Sequence, residues 1–196
     1  KAVCYEYDAL VRMVNVTGRG GGETLYAYDA QGNVTRVTRA DGSVTTAEYD
    51  ALGRVETLTN FDGAGEKVSA FAYTYDATGN IVTETVSMEG ETVQRSYAYT
   101  GRGELARVTE NGETTVYAYD AAGNRIREKG PEGTTVYHYD AAGRLQSTEG
   151  ARVSAYTWDA DGNMVSAETD EGAFEYRYDT ENRLLAVREG GSLLMS

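Results

Sequence analysis

One short phrase, Tyr-x-Tyr-Asp-x-x-Gly-Asn/Arg, returns along the whole of this chain, and a phrase copied so often confines the fold to an array of like units. It reads YAYDAQGN from Tyr26, YTYDATGN from Tyr73, YAYDAAGN from Tyr117 and YHYDAAGR from Tyr137. Looser copies are YEYDALVR from Tyr5, AEYDALGR from Ala47, YAYTGRGE from Tyr97, YTWDADGN from Tyr156 and YRYDTENR from Tyr176. All 16 Tyr fall at one of the two Tyr positions, so tyrosine usage is set by the repeat. The second aromatic stands at 7, 28, 49, 75, 99, 119, 139, 158 and 178, an interval of about 20 residues. Any stretch lies between the Gly-Asn/Arg of one phrase and the next Tyr, as in GRGGGE at 18–23 and NFDGAGEK at 60–67. One turn of each unit is therefore constant, and the opposite turn is expected to absorb insertions.

The phrase dictates a hairpin. Tyr-x-Tyr places two rings on one face of a strand and the middle residue on the other. That middle position holds Glu6, Ala27, Glu48, Thr74, Ala98, Ala118, His138, Thr157 and Arg177, so the second face is expected to be wet. Asp-x-x-Gly then suits a type I turn in which the Asp caps backbone N–H groups and the Gly takes positive φ as a bulge. The positions assigned to this framework are Tyr26, Tyr28, Asp29 and Gly32; Tyr49, Asp50 and Gly53; and Tyr73, Tyr75, Asp76 and Gly79. They continue as Tyr117, Tyr119, Asp120 and Gly123; Tyr137, Tyr139, Asp140 and Gly143; Trp158, Asp159 and Gly162; and Tyr178 and Asp179. Asn182 replaces the last Gly, and Asn is the next best residue for that conformation. Only the first copy breaks the rule, with Val11 at the Gly position.

A second strand follows each turn. Its apolar residues are spaced i, i+3 (Val34 and Val37, Val55 and Leu58, Leu105 and Val108, Leu184 and Leu185 with Val187), which is not period-2 alternation and predicts a twist or bulge. Asp41-Gly42, Asn111-Gly112 and Glu149-Gly150 are expected to supply the second turns. The expectation is an all-β, single-domain array of nine hairpins over residues 1–196, packed quasi-one-dimensionally. Its open edges, with Leu193-Leu194-Met195 beside the last, invite edge-to-edge self-association.

Charge narrows the partners. With 31 acidic against 18 basic side chains the net charge is −13, which disfavours nucleic acid and anionic membranes. No apolar run approaches the roughly 20 residues that span a bilayer, and KAVCYEYDAL carries no signal-peptide pattern. The lone Cys4 leaves the fold without internal disulfides.

On the phrases YDAAGN and YDAAGR the chain resembles the YD repeats of the Rhs family, which also occur in Tc toxin shell components and teneurins. The resemblance runs from Tyr5 to about Val187. It implies a curved, spiralling antiparallel sheet forming part of a shell-like barrel, and hence a scaffold from a secreted or cell-surface protein. It further implies support for encapsulating or delivering a C-terminal toxin held elsewhere in the parent chain, with the remaining repeats and that C-terminal domain as partners. The family's Asp-Pro-x-Gly self-cleavage motif is not found here.

The inventory for catalysis is thin, and no catalytic, cofactor or metal residue is assigned. His138, the one histidine, sits at an outward position, and Cys4 has no general-base partner in view. Asp159-Ala160-Asp161-Gly162-Asn163 has its Gly at the fourth position where an EF-hand loop needs the sixth, and its Asp, Gly and Asn already serve the repeat turn. Gly18–Gly22 lacks the Lys-Ser/Thr of a phosphate loop and reads as a flexible hairpin loop. The sequons at Asn15 and Asn33 matter only in a glycosylating pathway. The alternative to a scaffold is a glycan-binding or adhesion module using the Tyr-rich face, since exposed aromatic rows stack on sugars.

Overall fold

The computed structural model describes residues 2–195. Those residues form 19 strands and no helix. The first nine are β1 (Cys4–Tyr7), β2 (Met13–Thr17), β3 (Glu23–Tyr28), β4 (Val34–Thr38), β5 (Val44–Tyr49), β6 (Val55–Phe61), β7 (Lys67–Tyr75), β8 (Ile81–Met88) and β9 (Glu91–Tyr99). Then come β10 (Leu105–Glu110), β11 (Glu113–Tyr119), β12 (Arg125–Gly130), β13 (Gly133–Tyr139) and β14 (Leu145–Gly150). The last are β15 (Ser154–Trp158), β16 (Met164–Thr169), β17 (Gly172–Tyr178), β18 (Leu184–Glu189) and β19 (Ser192–Met195). Two compact units divide them: one runs to Ala98 and includes Thr109–Gly112, the other comprises Tyr99–Val108 and the chain from Glu113 onward. Within each unit, strands consecutive in the chain pair antiparallel, so each unit is a meander.

The irregular second strand has a simple cause. Tyr28 lies opposite Val34 and Tyr26 opposite Val37, with a register shift between Ala27 and Tyr28 that leaves Thr35 as an extra residue. The i, i+3 apolar pair is thus the cross-strand partner of a Tyr pair spaced i, i+2, and the bulge absorbs the difference. The same shift sets Tyr49 against Val55 and Ala47 against Leu58, and Tyr178 against Leu184 and Tyr176 against Val187. Leu185 departs from expectation: it is the bulged residue of its strand and is 53% exposed.

The variable edge also differs from its sequence reading. NFDGAGEK is no loose insertion, because Asn60 and Phe61 end β6 and Lys67 opens β7. Between them Phe61-Asp62-x-x-Gly65 builds the same turn as the repeat phrase: Asp62 N donates to Glu66 O (2.9 Å), Gly65 N to Asp62 O (3.1 Å), and Asp62 Oδ1 accepts from Ala64 N and Glu66 N. Residues 18–22 and 39–43 close with the same two backbone bonds, so the glycine run is a defined turn and Asp41-Gly42 is part of a three-residue connection. A Cβ on Gly63 would stand 2.3 Å from Asp41 O, so these neighbouring turns meet backbone to backbone. Asn111-Gly112 has both φ positive, as do Glu89-Gly90 and Gly190-Gly191, which the sequence reading did not single out. Glu149 and Gly150 are strand residues, and the connection there is Ala151–Val153.

Neither unit has a conventional core. Among the described apolar side chains only Tyr137 and Ala167 are buried, 8% and 4% exposed, and no large side chain is fully enclosed. The rings of Tyr-x-Tyr are half-buried on one face apart from the exposed Tyr5 and Tyr7 and the buried Tyr137, while the middle residue is exposed in eight of nine copies, Ala98 being half-buried. Leu193, Leu194 and Met195, read as lying beside the last edge, instead form the exposed strand β19 paired to β18.

Candidate functional site

The recurring site is the hairpin end that the phrase encodes. Asp29 shows its parts. Its N–H donates to Asn33 O (3.0 Å), and Gly32 N, at φ +94°, donates to Asp29 O (3.3 Å). Its Oδ1 accepts from the N–H of Gln31 and Asn33, and its Oδ2 from Asn33 Nδ2 at 2.9 Å. One carboxylate therefore satisfies two backbone donors and the side chain four residues on. Asp50, Asp120, Asp140, Asp159 and Asp179 repeat the arrangement, with Arg Nε replacing Asn Nδ2 where Arg follows. These donors hold the turn carboxyls below their ordinary range. Asp76, which also accepts from Thr78 and Asn80 side chains, falls to about 2.

Two copies depart from the phrase yet keep the turn. Val11 takes φ +60°, a strained position for a β-branched residue, with Val11 N still donating to Asp8 O. In YAYTGRGE the roles invert. Thr100 replaces the Asp, Glu104 replaces the Asn/Arg, and the Thr hydroxyl donates to the Glu carboxylate at 2.7 Å.

In six copies the second aromatic joins one hairpin to the one before it. Tyr28 Oη donates to Met13 O (2.6 Å), Tyr49 to Val34 O (2.8 Å), Tyr75 to Val55 O (2.7 Å), Tyr119 to Leu105 O (2.9 Å) and Tyr139 to Arg125 O (2.9 Å). Trp158 uses its indole Nε1–H on Leu145 O at 2.8 Å, which explains why Trp can stand in this column. Each acceptor opens the second strand of the preceding hairpin, where the ladder between hairpins has already ended: β2 and β3 pair from Thr17↔Glu23 to Asn15↔Leu25 and no further. The strands part at this end, and the aromatic donor serves a carbonyl the ladder has left. At the first position Tyr97 and Tyr137 donate instead to carboxylates, Glu84 and Glu128, and Ala47 replaces the Tyr in one copy, whereas the second position is aromatic in all nine. That contrast was the signal, present in the sequence, for separating the two columns.

Arg at the end of the phrase adds a second tie. Arg54 Nε meets Asp50 Oδ2 at 2.6 Å, its Nη1 donates to Asp76 O at 3.1 Å, and its guanidinium lies 4.5 Å from the Tyr75 ring centre. Arg12 and Arg144 do likewise toward Asp29 with Tyr28 and toward Asp159 with Trp158. In the inverted copy Arg102 reaches forward to Asp120 O and Ala121 O.

Two charged clusters lie among the first-column rings. In the first unit Arg95 bridges Glu84 (3.1 Å) and Glu110 (2.7 Å), and Tyr97 Oη donates to Glu84 at 2.8 Å. In the second, Glu128 accepts from Tyr137 Oη at 2.9 Å and from Arg152, and is ion-paired with Arg125 at 3.3 Å. Burial, then this bond to Glu128, pushes the Tyr137 phenol up.

The residues weighed for catalysis or metal binding do not converge. His138 sits on the face away from the rings, 3.2 Å from the exposed Glu149. Cys4 is exposed on β1. Both oxygens of Asp159 are taken by the turn, and no three His, Cys, Asp or Glu side chains among the described residues are grouped to hold a metal. The sequon amides are engaged as well: Asn15 is buried with Nδ2 toward Glu6, and Asn33 Nδ2 is held by Asp29.

Comparison with known proteins follows the same lines. The RHS Repeat model matches residues 139–174. No curated protein matches the chain by sequence. Among solved structures it is similar to TcdB2-TccC3, at TM-score 0.56 and 14% identity over 96% of this chain and 13% of that one. A TcdB2-TccC3-TEV structure gives 0.49 at 16% identity over 94% and 14%, and a Photorhabdus luminescens Tc holotoxin pore 0.43 at 13% over 97% and 14%. At such identity the first likeness shows the fold alone, and the chain spans about an eighth of that structure's length. The Teneurin YD-shell model matches residues 1–133, well over half of the 196, and the chain therefore belongs to the Teneurin YD-shell family.

Proposed function

We propose that this chain is a wall segment of a YD shell, a non-enzymatic scaffold whose nine hairpins act as one array. The observation that carries this reading is the aromatic donor bonded to the carbonyl of the preceding hairpin, from Tyr28 to Trp158. It props neighbouring hairpins apart at one edge while the ladder holds them at the other. A sheet fanned in that way within each hairpin pair tapers, and twist accumulated over many strands makes it coil. The parent is then a secreted or surface protein, and the shell supports encapsulation or delivery of a C-terminal toxin elsewhere in it. The partners are the remaining repeats and that domain.

Neither unit is wide enough to do this alone. The ten strands of the larger set, β10–β19, at ~4.8 Å each give a strip roughly 48 Å wide, which closed into a ring is roughly 15 Å across before side chains fill it. A folded 100-residue domain has a radius of gyration of about 13 Å and would not fit inside. The test is the full parent chain under limited proteolysis. A C-terminal region resistant to protease until the shell is opened by denaturant supports the reading. Cleavage of that region at the rate of its isolated form refutes it.

A glycan-binding or adhesion role is the second reading. The second-column rings disfavour it, since their donors are spent on the backbone. One observation favours it, a recess beside Tyr156 in the second unit.

A further inference from the structure

We infer that the second unit carries a binding recess for a neutral, disaccharide-sized saccharide beside Tyr156, a proposal that rests on the second reading above. The recess exists because one pair of strands comes apart. β13 and β14 share five register pairs, from Tyr139↔Leu145 to Thr135↔Gly150. β14 and β15 share only two, Ser147↔Ala155 and Thr148↔Ser154. The end of β14 stays with β13: Ala151 N donates to Thr134 O at 2.8 Å, and a Cβ on Gly150 would stand 2.1 Å from that same oxygen. Ala151–Val153 then crosses the gap, and a cavity of about 470 Å³ opens on the ring face. That lies within the roughly 300–1,000 Å³ of small-ligand sites.

The lining suits a sugar. Tyr137 is a fixed floor, 8% exposed, its hydroxyl bonded to Glu128 and its ring covered by the Arg125 guanidinium at 4.6 Å. Tyr156, in the first column and half-buried, also lines the cavity and offers an aromatic surface to the C–H face of a pyranose. The hydroxyls of Thr148 and Ser154, 2.8 Å apart, both donate and accept. Arg152, tied to Glu128, brings a charged donor to the rim, and Asp170 and Glu171, both exposed on the β16–β17 turn, bring acceptors. A pyranose matches this set, with one apolar face and a ring of hydroxyls that donate and accept together. Charge selects against acidic sugars. Asp170 and Glu171 balance Arg125 and Arg152 in the lining, so the recess offers no net positive charge to an anion, and the whole chain carries −13.

Saturation-transfer NMR on the intact 196-residue chain tests this with cellobiose, lactose, maltose and N,N′-diacetylchitobiose, and with a sulfated disaccharide as the acidic probe. Transfer to at least one neutral disaccharide is expected. Tyr156→Ala should weaken it roughly tenfold, the order expected for losing one stacked ring. The exposed pair Asp170→Asn with Glu171→Gln should weaken it about fivefold. Tyr26→Ala, a first-column ring in the other unit, should leave it unchanged. Should Tyr156→Ala fail to fold, the exposed pair alone decides. Absence of transfer to every neutral probe sinks both the recess and the glycan reading. Binding that ignores the Tyr156, Asp170 and Glu171 changes keeps the glycan reading and overturns the site. Stronger transfer to the sulfated probe overturns the ligand class.

Discussion

Replacing Tyr75 with Phe removes one oxygen atom and leaves the ring, its packing and the Arg54 guanidinium above it in place. What is lost is a 2.7 Å bond to Val55 O at the end where β6 and β7 part, Thr57↔Ala72 being their last ladder pair. A hydrogen bond contributes about 0.5–1.5 kcal/mol net, and a half-buried carbonyl left without a donor raises the cost toward 3. The site is half-buried, so water recovers part of the loss, and the expected destabilisation is about 1–2 kcal/mol. With a urea slope of about 2 kcal/mol/M, the midpoint should fall by roughly 0.5–1 M. The control is Tyr7→Phe at the same column of the first copy. Tyr7 is 56% exposed and has no earlier hairpin among the described residues to reach, so its midpoint should move by less than about 0.25 M. Far-UV circular dichroism and tyrosine fluorescence should report the same transition, because repeat arrays can lose two-state behaviour. Equal shifts for the two variants would mean the second-column hydroxyl has no inter-hairpin role.

Val11→Gly should stabilise the protein by about 1 kcal/mol, since φ +60° strains Val more than glycine's added unfolded-state freedom costs; a lower melting temperature would contradict this. Gly123→Ala should cost about 1–2 kcal/mol although a Cβ there meets nothing nearer than Glu104 Oε1 at 3.7 Å, whereas Ala122→Gly should cost under ~1. Equal losses in a urea titration would show the turn conformation to be irrelevant. Because the folded-state carboxyl of Asp76 lies below its unfolded value, its contribution is complete above about pH 4 and is lost as pH falls toward about 2. Asp76→Asn should therefore be less stable than the natural protein at pH 7, with the gap closing by pH 2, and a gap constant with pH would refute the assignment. Excess EDTA should leave the melting temperature unchanged, and a drop restored by calcium would promote the Asp159 turn to a metal site.

Local rules carried most of the fold into view. Asp-x-x-Gly states its own turn because donors, acceptor and the positive-φ residue lie within five positions, and the nine copies confirm one another. The i, i+3 spacing of Val34 and Val37 announced a bulge for the same reason, the mismatch being contained within one hairpin. Even so, Phe61-Asp62-x-x-Gly65 passed as an insertion because its turn points to the other edge of the array. Tertiary structure alone decided the rest. Tyr28 and Tyr26 look alike in the chain, but only Tyr28 reaches a carbonyl 15 residues back in another hairpin, and no local pattern encodes an acceptor that distant. The recess beside Tyr156 depends on β14 staying with β13 and leaving β15, a competition between two backbone ladders settled by Gly150 and Ala151. Sequence periodicity says which face a residue takes, whereas which neighbour a strand keeps at its end is set by the sum of contacts across the sheet.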